Sequence, residues 1–151
     1  VNLNLGSGTN RKQGFISVDL YTPEADVQLD LTQPLPYEDE TIDNIYASHV
    51  VEHFTRDEWE FVRGEWARIL KRGGTIEIRC PDIIKVCKKL LLNPEDEFTM
   101  KQLYGLQSND GEHHKNGFTY DSLTKSFPNY TATRLDPSTD TELHVKFIKE
   151  K

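Results

Sequence analysis

The sequence predicts an α/β fold, a three-layer arrangement around a mostly parallel sheet with an antiparallel C-terminal edge pair. Three observations predict it. Short β-prone runs give way to helix-period segments along the chain. The early runs end at a glycine pair or at an acid, where a strand would hand over to a loop. The last two β-prone runs follow one another closely, too closely for a crossover helix.

Residues 1–5 (V-N-L-N-L) alternate apolar and polar and run into Gly6-Ser7-Gly8, a strand delivered into a glycine turn. Residues 15–18 and 25–29 are two further short strands, ending at Asp19 and Asp30. Residues 42–47 make a fourth strand after a Pro-containing acidic loop at 33–40. Residues 56–71 form the clearest helix, with Trp59, Val62, Trp66, Ile69 and Leu70 at helical spacing. Lys71-Arg72 suits its negative C-terminal end, and Gly73-Gly74 is expected to stop it. Residues 75–80 form a strand closed by Pro81. Two helices, 83–92 and 96–107, are separated by Asn93-Pro94, and a polar loop at 108–117 carries His113 and His114. Thr119 is placed to cap a short helix reaching Phe127, and residues 130–135 and 142–148 finish the chain as strands. No repeat, low-complexity stretch or boundary interrupts this pattern, so residues 1–151 are expected to form one domain.

Of the 151 residues, 36% are hydrophobic and 28% charged, a globular balance with no stretch long enough to span a bilayer. The net charge is −7, and the longest basic run is Lys88-Lys89, so nucleic acid is not expected as a partner. Cys80 and Cys87 lie outside any zinc-ligand spacing and are too few for a disulfide scaffold. With no secretory leader in view, reduced thiols point to a cytoplasmic protein.

In an open α/β sheet, ligands collect outside the carboxyl ends of the strands, near the switch in strand order. The residues placed there are Gly6-Ser7-Gly8, Asp19, Asp30, Ser48-His49 and Cys80-Pro81-Asp82. Gly6 and Gly8 let backbone amides approach a ligand that side chains would keep away. Asp19 suits both hydroxyls of a ribose, and Asp30 suits an adenine amino group. Leu20 and Leu31, the residues after these acids, offer apolar walls for the base. Either acid alone reads as an ordinary turn residue; the ordered set is more specific. A nicotinamide dinucleotide, and with it an oxidoreductase, fits poorly. The third glycine of its fingerprint is replaced by Arg11, and only nine residues, 6–14, separate the first two strands. That is too short for the helix whose N-terminus would hold a pyrophosphate.

The runs L-N-L-G-S-G, S-V-D-L, L-D-L, L-P-Y-E-D-E-T-I-D-N-I-Y-A-S-H-V-V-E-H-F and I-L-K-R-G-G-T-I-E-I-R-C-P-D resemble the class I, Rossmann-like S-adenosylmethionine-dependent methyltransferases. They are most similar to a compact group with a short first crossover, and the likeness is strongest over residues 1–82. The resemblance implies S-adenosyl-L-methionine as cofactor, held by Asn4, Gly6, Ser7 and Gly8 at the methionine part. It places Asp19 at the ribose, Asp30 at the adenine amine, and Ser48 and His49 between cofactor and acceptor. Asn4 departs from the pattern, which often has an acid there. The chemistry implied is direct displacement at the sulfonium methyl, with the protein aligning acceptor and donor.

Where the acceptor must lose a proton, His49, His53 or His113 is a candidate base, and Asp82 a candidate for orienting the acceptor. Each has a plainer reading as well: a helix-start histidine, a solvated loop histidine, a cap for the helix at Ile83. His49, Glu52 and His53 together resemble a metal cluster, but their order is not His-Glu-x-x-His, and no metal is expected. The absence of an Asn/Asp-Pro-Pro-aromatic motif after the fourth strand weighs against a base or amide nitrogen, while the acidic charge and the resemblance to compact relatives imply a small-molecule or sugar-like acceptor. So short a chain leaves little for a lid, and a homodimer or a partner chain is one way to complete the site. The rival reading is a cofactor-binding or interaction protein with the same fold and no turnover.

Overall fold

The computed structural model describes residues 1–150. Four parallel strands, β1 (Asn2–Leu5), β2 (Ile16–Asp19), β3 (Val27–Gln28) and β4 (Ile42–Ser48), come first. Helix α1 (Arg56–Ile69) then leads to β5 (Leu70–Pro81). Helices α2 (Ile83–Leu92), α3 (Glu97–Tyr104) and α4 (Tyr120–Lys125) precede the last strands, β6 (Tyr130–Arg134) and β7 (Glu142–Lys149). All seven strands form one sheet in the order β3-β2-β1-β4-β5-β7-β6. Only β7 runs against its neighbours, pairing antiparallel with β5 and with β6. The chain moves outward from β1 to β3, then returns to place β4 on the other side of β1. The switch point therefore lies between the carboxyl ends of β1 and β4, at Gly6 and His49.

Alternation along the strands gives the sheet two unlike faces. Leu3, Leu5, Ile45, Ala47, Ile76, Ile78, Val145 and Phe147 are buried in one cluster with Trp59, Val62, Trp66 and Ile69 of α1 and Leu123 of α4. Helix α1 lays this stripe on the sheet because its apolar residues recur at three- and four-residue spacing. Its start is fixed by a capping box: Thr55 accepts from the Glu58 amide, and Glu58 accepts from the Thr55 amide at 2.7 Å. The other face is polar. Asn44 donates to Asn2 at 2.8 Å and accepts from Thr75 at 2.7 Å, and His144 meets Glu77 at 2.8 Å. No helix among the described residues is long and apolar enough to cross a membrane.

Three elements differ from expectation. The third strand shrinks to Val27–Gln28, because the Asp26 carboxylate takes the Ser17 amide and hydroxyl, each at 2.8 Å, in place of a strand ladder. Helix α1 ends at Ile69 and β5 starts at the next residue, so Gly73-Gly74 falls inside the strand. There it makes an irregularity opposite residues 42–44, since a β-carbon at Gly74 would lie 2.7 Å from the Asp43 carbonyl oxygen. Lys71 pairs sideways with Asp43 at 2.6 Å instead of facing the helix end. Helix α3 stops at Tyr104, where Gly105 takes φ +84° and the following loop folds back onto it. A β-carbon at Gly105 would clash with the Glu112 carbonyl.

Candidate active site

The carboxyl ends of β1, β2 and β4 open into a cleft of about 530 Å³. Gly6, Gly8, Asp19, Leu20, Asp30, Leu31, His49 and His53 all line it. Gly6 has φ +62°, and a β-carbon there would meet the Val50 side chain at 2.4 Å, so the loop turns only because residue 6 has none. Gly8, at φ +51°, opens onto free space.

Asp19 organises the loops around it. Oδ1 accepts from the Tyr21 and Thr22 amides, both at 2.9 Å, and Oδ2 accepts from the Gly8 amide at 2.8 Å. A carboxylate has about four acceptor positions, so one position on Oδ2 remains for a ligand. Asp30 spends Oδ1 on the Thr32 amide and hydroxyl, at 2.9 and 2.7 Å, and leaves Oδ2 without a protein partner. On the far wall, Gly111 presses against the Tyr21 ring, where a β-carbon would come within 2.4 Å. Glu58, Asp110 and Glu112 add to the acidic lining, which suits a cationic ligand.

Other sequence-predicted residues lie away from this cleft. Asn4 is buried and donates to the Asn10 carbonyl at 2.8 Å, holding the glycine loop from behind. Ser7 is buried and turned onto the Gly8 carbonyl. Ser48 remains in register with Arg79 of β5. Asp82 caps α2 through the Ile84 amide and takes Arg134 at 3.3 Å, the plainer of its two readings. His113 contributes its carbonyl to His53 Nδ1 at 3.2 Å, while His114 is the histidine that turns inward.

The histidine region rests on two buried acids: Glu52, which the sequence offered only as part of a metal-like cluster, and Glu142, which sequence reasoning passed over. His49, in the left-handed region at φ +56°, places Nδ1 3.2 Å from Glu52 Oε1 and Nε2 3.2 Å from Glu142 Oε2. A non-glycine residue held there is strained, and the surrounding bonds must overdetermine it. The hydrogen bond to Glu52 raises the His49 pKa and outweighs partial burial, with Glu142 adding to the rise. Burial pushes the Glu142 carboxyl up, but the Ser138 amide and hydroxyl, Arg79 and His49 together bring it below the usual range. Burial lowers the His114 pKa, outweighing the opposing pull of Glu52 and the Gln102 carbonyl. The signal for Glu52 was present in the sequence: an acid between Val50-Val51 and Phe54 has few ways to reach water.

A family model described as a methyltransferase domain matches residues 5–78. No curated protein sequence matches the chain. Among solved structures, an S-adenosylmethionine-dependent methyltransferase of Thermotoga maritima, described as a possible histamine N-methyltransferase, is similar. It has a TM-score of 0.68 at 16% identity, over 99% of this chain and 82% of that one. One from Archaeoglobus fulgidus gives 0.66 at 14% identity, over 98% and 85%. A chain from the complex of the Haloferax volcanii Trm112 methyltransferase activator with a methyltransferase gives 0.62 at 14% identity, over 99% and 82%. At such identities the likeness is one of fold.

Proposed function

We propose that the chain is a class I, Rossmann-like methyltransferase that binds S-adenosyl-L-methionine in the cleft and methylates a small-molecule or sugar-like acceptor, a reading supported by the methyltransferase-domain match over residues 5–78 and by the fold of its structural neighbours. The observation that carries this reading is the convergence of Gly6, Gly8, Asp19 and Asp30 on one acidic cleft at the switch point. The residues present fit the cofactor. Asp30 Oδ2 and one position on Asp19 Oδ2 are free to accept from an amino group and a ribose hydroxyl, and Leu20 and Leu31 offer apolar contact to the base. When bound, the cofactor supplies an activated methyl group on a sulfonium. The chain's own part is to orient donor and acceptor and to keep water from the reacting centre.

Within this reading His49 is a candidate base that must exchange its contact with Glu52 or Glu142 for one with the acceptor, because both ring nitrogens are engaged. His53 shares the same wall of the cleft. Asp82 and His113 drop to supporting parts, a helix cap and a backbone acceptor. A second copy or a partner chain covering the cleft belongs to the same proposal, and the Haloferax neighbour is a complex with an activator.

Thermal unfolding with S-adenosylmethionine, S-adenosylhomocysteine and NAD tests it. A ligand at about a hundred times its Kd stabilises by roughly 2.7 kcal/mol, which moves the midpoint of a domain this size by about 5–10 °C. A shift with both adenosyl compounds and none with NAD is expected. No shift with any of them would end the methyltransferase reading, and a shift without turnover on any acceptor would favour the non-catalytic one.

A further inference from the structure

We propose that Glu52, His53 and His114 form a binding site for a divalent transition-metal ion of the zinc type, in the wall of the cleft. Each residue offers one ligand atom, and these atoms lie within 4.8 Å of one another. Bonds of about 2.0–2.1 Å to a tetrahedral ion set neighbouring ligand atoms about 3.3 Å apart. The widest pair therefore has about 1.5 Å to close, within the reach of side-chain rotation.

Two independent features point to an ion. First, Glu52 is 1% exposed; its Oε1 stands 4.0 Å from His114 Nε2 and 3.2 Å from His49 Nδ1, and its Oε2 has no hydrogen-bond partner. Leaving a carboxylate oxygen buried and unpaired is costly, and a cation bound to this carboxylate beside the two histidines would offset that cost. Second, both histidines are oriented as metal ligands are. His114 Nδ1 meets the Gln102 carbonyl at 2.9 Å, and His53 Nδ1 meets the His113 carbonyl at 3.2 Å. A carbonyl can only accept, so each Nδ1 carries the proton and each Nε2 presents its lone pair. A second-shell hydrogen bond of this kind sets the tautomer and direction of most metal-bound histidines. The backbone brings the pieces together: the amides of Lys115 and Asn116 donate to the Glu52 carbonyl, at 2.8 and 3.1 Å, pinning the loop that carries His114.

Two imidazoles and one carboxylate favour zinc or its first-row neighbours over magnesium or calcium, which prefer all-oxygen shells. Three protein ligands leave at least one coordination position open, and His53 itself lines the cleft. An ion there can take a hydroxyl oxygen of the acceptor and lower that hydroxyl's pKa. This last role rests on the proposed function; the existence of the site does not.

The test is a titration of the chelator-treated chain with Co2+, followed by visible absorption, then displacement by Zn2+, with no cofactor or acceptor present. One equivalent of Co2+ is expected to give the d–d bands of a low-symmetry site and to be displaced by one equivalent of Zn2+. His53→Ala and Glu52→Gln should each weaken binding by more than tenfold, since even outer-shell changes cost about 10–100-fold, while His144→Ala leaves it unchanged. Absence of the bands, or equal affinity in His53→Ala, would overturn the site. Should Glu52→Gln fail to fold, His53→Ala decides alone, because His53 is only partly buried. Running without adenosyl ligands keeps failure here distinct from failure of the methyltransferase reading.

Discussion

Glu142 Oε2 lies 3.2 Å from His49 Nε2 although ninety-three residues separate them. The contact exists because β7 pairs with β5, which in turn pairs with β4, bringing the first residue of β7 beside the loop after β4. Glu142 also accepts from the Ser138 amide at 2.9 Å and stands 3.3 Å from Arg79. It is therefore a buried charge whose partners depend on it.

Glu142→Gln keeps the shape and removes the charge. Breaking one side of a buried pair costs about 3–5 kcal/mol; Arg79 and His49 keep some access to solvent here, so about 2–3 kcal/mol is expected. Urea unfolding monitored by far-UV CD should show the midpoint falling with an unchanged slope. A midpoint within error of the parent would mean that His49 and Arg79 do not rely on this acid.

The two cleft acids should separate in their effects. Asp30→Ala removes a free acceptor oxygen and one local turn, so S-adenosylmethionine affinity should fall by about tenfold, the worth of one hydrogen bond, with little change in melting temperature. Asp19→Ala frees three backbone amides as well, and about 1–3 kcal/mol of stability should go with the affinity. Calorimetric titration beside thermal melts checks both. Equal losses of stability in the two variants would contradict the division of labour.

The contrast between the two acids also marks what the chain discloses by itself. The position of each, directly after a β-prone run, was legible, as were the glycine turn, the Thr119 cap and the antiparallel pair that ends the chain. What Asp19 does with its oxygens was not, because the Tyr21, Thr22 and Gly8 amides converge only after β1 and β2 align. His114 and Glu142 were hidden for the same reason, since partners sixty or more residues apart leave no local periodicity. The end of α1 was misplaced because Gly73-Gly74 reads as a helix stop. Nothing nearby in sequence shows that Asp43 needs the space beside Gly74.

Acid should expose the edge of the sheet. Asp26 is held down to about 2 from its ordinary 3.8 by the Ser17 amide, then the Ser17 hydroxyl, then Arg11. A carboxyl whose folded pKa is depressed stabilises above its unfolded value and loses that contribution as pH falls toward the folded one. Asp26→Asn should therefore lower the urea midpoint by a constant amount above about pH 5, with the gap to the parent closing between about pH 4 and 2. A gap that persists at pH 2 would assign the effect to packing and not to charge.

Gly6→Ala tests the loop on which the cleft depends. The new methyl would force a left-handed residue at φ +62° and meet Val50 at 2.4 Å. Strain of about 1–3 kcal/mol follows from the backbone, and overpacking adds about 1–3 kcal/mol. Pairing the substitution with Val50→Ala separates the two, because the smaller neighbour relieves the clash but leaves the backbone strained. In the double variant, part of the lost melting temperature should return while S-adenosylmethionine binding stays weak, since the turn that aims the Gly8 amide at Asp19 is still distorted. Full recovery of binding would show that contact with Val50, and not backbone conformation, is what requires glycine at position 6.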